Sequence, residues 1–188
     1  MTDPVAITIS ILALAVSALT AWLTLFHRGT IEMTKPTQIF FGVEAARSTH
    51  EANVPKVYLK ALLFATSKRG RIVENMYVSL SRNETHQNFN IWVHGQEQLQ
   101  RGSGLFVGEN GVSTNHHFIT PNDGNHFRFS EGRYTMEVFA HLLGDKNKKL
   151  LFSHSFEISR ENSTLLETND AGIYFDWGPD FQIATFLS

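Results

Sequence analysis

Gly132-Arg133-Tyr134-Thr135-Met136-Glu137-Val138-Phe139-Ala140-His141-Leu142 is the stretch on which the reading of the fold turns. Tyr134, Met136, Val138, Ala140 and Leu142 fall on one side of a two-residue period. Arg133, Thr135, Glu137, Phe139 and His141 fall on the other. Successive side chains of an extended chain point to opposite faces, so this is a strand with one apolar face and one mixed face. A polar loop, Gly144-Asp145-Lys146-Asn147-Lys148, follows. A second strand then puts Leu150, Phe152, Phe156 and Ile158 inward, which makes a β-hairpin.

The same period continues towards the N-terminus. Residues 57–66 are apolar on both faces, as a central strand requires. Met76, Val78 and Leu80 alternate with Asn75, Tyr77 and Ser79. Phe89, Ile91 and Val93 alternate with Asn88, Asn90 and Trp92. Shorter strands are predicted at 105–107, 112–119 and 127–129. Turn clusters separate them at Lys68-Arg69-Gly70-Arg71, Glu109-Asn110-Gly111 and Pro121-Asn122-Asp123-Gly124. No segment after Arg28 carries a helical period. The expectation is a mainly β domain over residues 37–188, an antiparallel sandwich of seven to nine strands. Glu131-Gly132-Arg133-Tyr134 resembles the glycine-then-tyrosine lead-in to a late strand of immunoglobulin-like domains. The resemblance covers the hairpin alone. It implies an immunoglobulin-like architecture and no particular activity, because that architecture hosts many unrelated functions.

Residues 5–26 are different in kind. They carry no charge and are mostly Ile, Leu, Val and Ala. As a helix they extend about 33 Å, enough for a hydrocarbon core of about 30 Å. Asp3 is placed as an N-cap, Pro4 suits the first turn, Trp22 and Phe26 suit the far interface, and Gly29 is the expected stop. A short tail (1–4) precedes this transmembrane helix and a juxtamembrane linker (27–36) follows it. A cleaved signal peptide is the competing reading, with Val16-Ser17-Ala18 as cleavage site. It wants a positive leader, however, and finds Asp3. Arg28 and Lys35 follow the helix while Asp3 precedes it. The expected orientation is therefore N-terminus outside and β domain cytoplasmic. In that orientation the sequons at Asn83 and Asn162 are coincidences.

Ala6, Ser10, Ala13, Ser17, Thr20 and Thr24 form a heptad stripe of small or hydroxylated residues, a candidate packing seam for self-association in the bilayer. Residues 160–170 read as a polar linker. Beyond them, in an aromatic C-terminal segment (171–188), Tyr174, Phe175, Trp177 and Phe181 make a candidate docking tail that must add a strand or cover a partner. Asn90, Trp92 and His94 are a candidate binding face, a Trp among polar groups, or equally the inner face of a second sheet, because parity alone does not say which side is buried.

Composition narrows the chemistry. The chain has no cysteine, so disulfides, thiolate metal sites and cysteine nucleophiles are excluded. Its 16 basic and 18 acidic residues give no electrostatic case for nucleic acid. The nine histidines lack a ligand spacing, with His116 and His117 on opposite faces of one strand. The glycines flanking Ser103 lack both the lysine of a phosphate loop and the strand-to-helix setting of a nucleophile elbow. No catalytic residue, metal or cofactor is expected. The expected partners are the lipid bilayer, a second copy of the helix, and a protein or small ligand. The leading reading is a membrane-anchored binding or assembly module. One rival is a ligand-gated effector that oligomerises through its helix. The other is an exported envelope protein with a cleaved signal.

Overall fold

The computed structural model describes residues 3–44, 54–95, 100–102, 104–121, 127–167, 172–177 and 182–187. It is mainly β, with one apolar helix at its N-terminal end. Helix α1 (Pro4–Ala21) runs into a π-helical turn at Trp22–Phe26. The Asp3 carboxylate accepts from the Val5 N–H at 3.0 Å, which caps the helix as its sequence suggested. The 23 residues to Phe26 have a mean hydropathy of 2.1, and the domain buries none of them. This helix is long and apolar enough to cross a membrane. It ends at Phe26, earlier than the Gly29 stop expected, because His27 is already extended.

The strands are β1 (Ile31–Met33), β2 (Gln38–Glu44), β3 (Val54–Ala65), β4 (Arg71–Arg82), β5 (Thr85–Phe89), β6 (Ile91–Gly95), β7 (Gln100–Arg101), β8 (Leu105–Val107), β9 (Val112–Ile119), β10 (Gly132–Leu142), β11 (Lys149–Ile158), β12 (Gly172–Trp177) and β13 (Gln182–Leu187). Two antiparallel sheets result. The larger runs β13-β12-β2-β3-β9-β6-β7, with β1 also on β3. The smaller runs β11-β10-β4-β5, with β8 also on β4. Their facing side chains form one buried core. Phe41 of the larger sheet stacks on Phe156 of the smaller at 4.6 Å and touches Phe129 and Phe175, each at 5.5 Å.

Thirteen strands form among the described residues, against the seven to nine expected, and three stretches depart from the reading of the sequence. Residues 27–36, expected as linker, contain β1. Ile31 and Met33 are buried, and β1 lies on the same edge of β3 as β2. Pro36, which has no N–H to give a ladder, falls in the break between them. Residues 160–170, also expected as linker, begin with a one-sided helix α2 (Arg160–Leu166). Ser159 caps it and it buries Leu166. Residues 127–129 form no strand, although Phe129 is in the core.

The 132–142 alternation holds along the whole of β10, with Tyr134, Met136, Val138, Ala140 and Leu142 buried. On β11 the parity breaks. A bulge opposite Val138 and Phe139 turns Leu151 inward and leaves Leu150 outward and exposed, so Leu150 was misassigned. Tyr134 donates its hydroxyl hydrogen to the Ser130 carbonyl at 2.9 Å, tying the start of β10 to the chain before it.

Candidate binding face

The β4–β10 register puts Phe139 beside Tyr77, and Glu137 beside Ser79, on the outer face of the smaller sheet. The β4–β5 register adds Asn88 beside Ser79. Cross-strand aromatic neighbours attract, and the Tyr77 and Phe139 rings stack at 5.1 Å with 19° between planes. Lys148, on the β10–β11 turn, folds back over them. Its ammonium nitrogen lies 4.4 Å from the Phe139 ring centre and 5.3 Å from that of Tyr77. Together with His86, Asn90 and Glu137 these residues surround an open concavity of about 320 Å³. The floor is aromatic, one wall carries an ammonium, and the opposite wall carries amides, an imidazole and a carboxylate.

The polar wall contains a serine and a histidine within reach of each other. Ser79 Oγ is 3.3 Å from His86 Nδ1 and 3.2 Å from Nε2, and His86 Nε2 is 3.1 Å from Asn88 Oδ1. An oxygen lying along one imidazole lone pair is close to one nitrogen and far from the other. Near-equal distances place Ser79 Oγ over the ring, aligned with neither lone pair. Nucleophile activation needs that alignment.

The face expected at Asn90, Trp92 and His94 is divided between two environments. β5 belongs to the smaller sheet and β6 to the larger, so the chain crosses between sheets at Asn90. Parity read through the crossing is meaningless beyond it. Asn90 stays exposed beside the outer concavity, while Trp92 and His94 are turned into the core at 2% and 9% exposure. Trp92 Nε1–H donates to His116 Nδ1 at 3.2 Å, and its ring packs on His94 at 4.6 Å. Gly102 lies so close that an added Cβ would meet Trp92 Cε3 at 2.1 Å. Burial, then the neighbouring His94 and His117, hold the His116 pKa down to about 3, and burial also lowers that of His94. His116 Nε2 has no hydrogen-bond partner among the described residues. Among the described residues no three His, Asp or Glu side chains converge to hold a metal ion.

The docking tail lies partly in the domain. β12 pairs with β2, Phe175 is buried, and Tyr174 packs on Phe40 at 4.6 Å across the outer face. Phe181 and the side chain of Trp177 lie outside the described residues, as does Ser103. Along the helix seam, Ser10, Ser17, Thr20 and Thr24 each donate to the carbonyl four residues back, at 2.8 Å. A hydroxyl donated to a second helix would have to replace one of these, while each oxygen keeps lone pairs that could accept from a neighbour. Ala6 and Ala13 supply two of the accepting carbonyls.

Sequence reading missed Tyr77, Ser79, His86, Glu137, Phe139 and Lys148 as one surface. The outward parity of Glu137 and Phe139 was legible, but the register joining β10 to β4 has no local signal. No family of known proteins, no curated protein and no solved structure matches this chain.

Proposed function

We propose that the chain is a membrane-anchored recruitment module whose outer β5-β4-β10 face binds a protein partner. The carrying observation is the Tyr77–Phe139 stack with Lys148 above it. This is a large aromatic area already held in place, so little side-chain freedom is lost on contact. The concavity is open to solvent, which suits a protein surface better than an enclosed small molecule. No reaction is proposed there, because Ser79 lacks an aligned base.

The helix is proposed as an uncleaved anchor, with the β domain cytoplasmic. Arg28 and Lys35 support that side, and Lys68 and Arg69 add basic charge on the turn beside the helix exit. The domain is proposed as an immunoglobulin-like sandwich. Its orders β2-β3-β9-β6 and β11-β10-β4-β5 correspond to A-B-E-D and G-F-C-C′. The Tyr134 hydroxyl bond corresponds to the tyrosine corner of that fold. The chain departs from it in lacking the inter-sheet disulfide, and in carrying its buried Trp on β6 instead of the strand-C position. The rival effector reading rests on the seam alone, whose hydroxyls donate within their own helix and keep only their oxygen lone pairs for a neighbour.

The test is affinity capture from solubilised membranes with wild type and Lys148→Glu. The reading requires a protein held by wild type and lost by the variant at unchanged melting temperature. Identical captures would refute it. A reporter active only in the cytoplasm, fused after Ser188, should be active. Activity of a periplasmic reporter alone would reverse the orientation.

A further inference from the structure

We propose that the helix-proximal end of the β domain is itself a membrane-docking surface. It would press an apolar tip between anionic headgroups of the leaflet from which the helix emerges. The inference rests on the anchor reading and goes beyond it, since an anchor alone leaves the domain free to tumble.

The first observation is the missing linker. The helix ends at Phe26, and the Arg28 carbonyl already accepts from Ser67 Oγ at 2.8 Å. The Gly29 carbonyl accepts from Arg71 Nη1 at 3.1 Å. Thr30 exchanges backbone and hydroxyl bonds with Thr66, and Lys149 Nζ reaches both Thr30 and Glu32 at 2.8 Å. Gly29 makes this turn at φ +60°, where a Cβ would meet Ser67 at 2.7 Å. Two residues span at most about 7 Å. The polar zone on each side of a hydrocarbon core is only about 5–8 Å deep. Residues level with Arg28 are therefore held in or directly against the headgroups while the helix is inserted.

The second observation is what stands at that level. Phe106, Leu143 and Ile72 are 61%, 51% and 37% exposed. They are three of the five exposed large apolar side chains of the described β domain. Backbone pairing brings them together: Ile72 is opposite Phe106, and the Leu143 N–H donates to the Ile72 carbonyl at 2.9 Å. With Arg28 and Arg69 they line a concavity of about 360 Å³.

The third observation is charge. Arg71 is neutralised by Asp145 at 2.8 Å and Lys149 by Glu32 at 2.8 Å. Arg28, Lys68, Arg69 and Lys146 are exposed at this end, against the carboxylates of Glu109 on the β8–β9 turn and of Glu74, two residues along β4 from Ile72. Apolar tips ringed by arginine and lysine match an anionic bilayer surface in both depth and sign.

The chain has no cysteine, so single introduced cysteines can carry nitroxide labels in the whole 188-residue chain. Leu12→Cys reports the helix. Phe106→Cys and Leu143→Cys report the docking tip. Glu84→Cys reports the far turn, beyond the twelve residues of β4 and so about 40 Å away. In phosphatidylcholine–phosphatidylserine vesicles, labels at 12, 106 and 143 should be several-fold less accessible to a water-soluble nickel relaxant than the label at 84. Phosphatidylcholine alone, or Lys68→Glu with Arg69→Glu, should raise accessibility at 106 and 143 but not at 12. If 106 and 143 behave like 84 while 12 stays shielded, the docking surface is refuted and the anchor stands. If 12 is exposed as well, both fall. Shielding indifferent to lipid and protein charge would remove anionic headgroups as the partner.

Discussion

The Trp92–His94–His116 cluster and the Tyr77–Phe139–Lys148 cluster are built of the same materials, aromatic rings beside titratable nitrogen. The first faces inward from the larger sheet, and the second faces outward from the smaller. In the first, burial has stripped charge away. His116 is held neutral, and its Nδ1 accepts from indole. In the second, an ammonium stands in solvent over the rings. A ring beside a polar group does not by itself mark a surface. The sheet that the strand belongs to decides whether the pair is core or binding face.

The largest effect that would test this contrast is Trp92→Ala. Removing a buried indole typically costs about 3–5 kcal/mol, a large share of the stability of an ordinary domain. It also strands the acceptor of His116. Thermal or urea unfolding of the full chain in detergent should show the loss. A shift no larger than that of an exposed substitution would return Trp92 to the surface. Gly102→Ala attacks the same ring from outside by filling the space against Cε3. Overpacking of that kind costs roughly 1–3 kcal/mol. An unchanged melting temperature would mean that Gly102 does not pack on Trp92.

These residues also show what was legible. The β10 strand was read correctly end to end, because eleven residues of strict alternation overrule any local ambiguity. The helix was legible because an uncharged run of its length has few soluble uses. The side taken by Trp92 was left open by a different kind of signal. The alternation from Asn88 to His94 looks continuous, but the ladder partner changes from β4 to β9 at Asn90. Leu150, expected inward, is turned outward by one bulge residue. Both positions lie where long-range pairing sets the face, and periodicity along one strand does not record its neighbour. The outer cluster draws on β4, β5, β10 and a turn, so it could not be assembled before the register was known.

Acidity sharpens the contrast further. His116 in the folded chain has a pKa of about 3, while an unfolded histidine titrates near 6.5. Below about pH 6.5 the unfolded chain takes up a proton that the folded chain refuses. Stability from this residue is therefore intact above that pH and falls steadily towards pH 3. The slope approaches about 1.4 kcal/mol per pH unit for one proton. Carboxylates add their own acid loss, so the comparison must be made with His116→Gln. Glutamine keeps an acceptor for the Trp92 N–H and does not titrate. Between pH 7 and pH 4 the wild type should lose more stability than His116→Gln. Parallel losses would mean that His116 is solvated.

The smallest stability effect belongs to the outer face, and its smallness is the point. Phe139 is half-buried, and its inward neighbours on β10, Val138 and Ala140, carry the core. Phe139→Ala should therefore cost only about 1 kcal/mol, part of the roughly 1.5–3 kcal/mol that full burial of such a side chain provides. The same change removes half of the aromatic floor and one of the two rings beneath Lys148. If this floor anchors the partner, truncation at the centre of the contact should weaken binding by about 2 kcal/mol or more, some thirtyfold. Trp92→Ala should show the reverse order, with stability lost first and binding lost only through unfolding. Titration of the captured partner against folded Phe139→Ala, alongside its melting curve, reads both quantities on one sample. A variant that melts several degrees lower but binds as tightly as wild type would make Phe139 a packing residue. The partner would then have to be sought on another face of the domain.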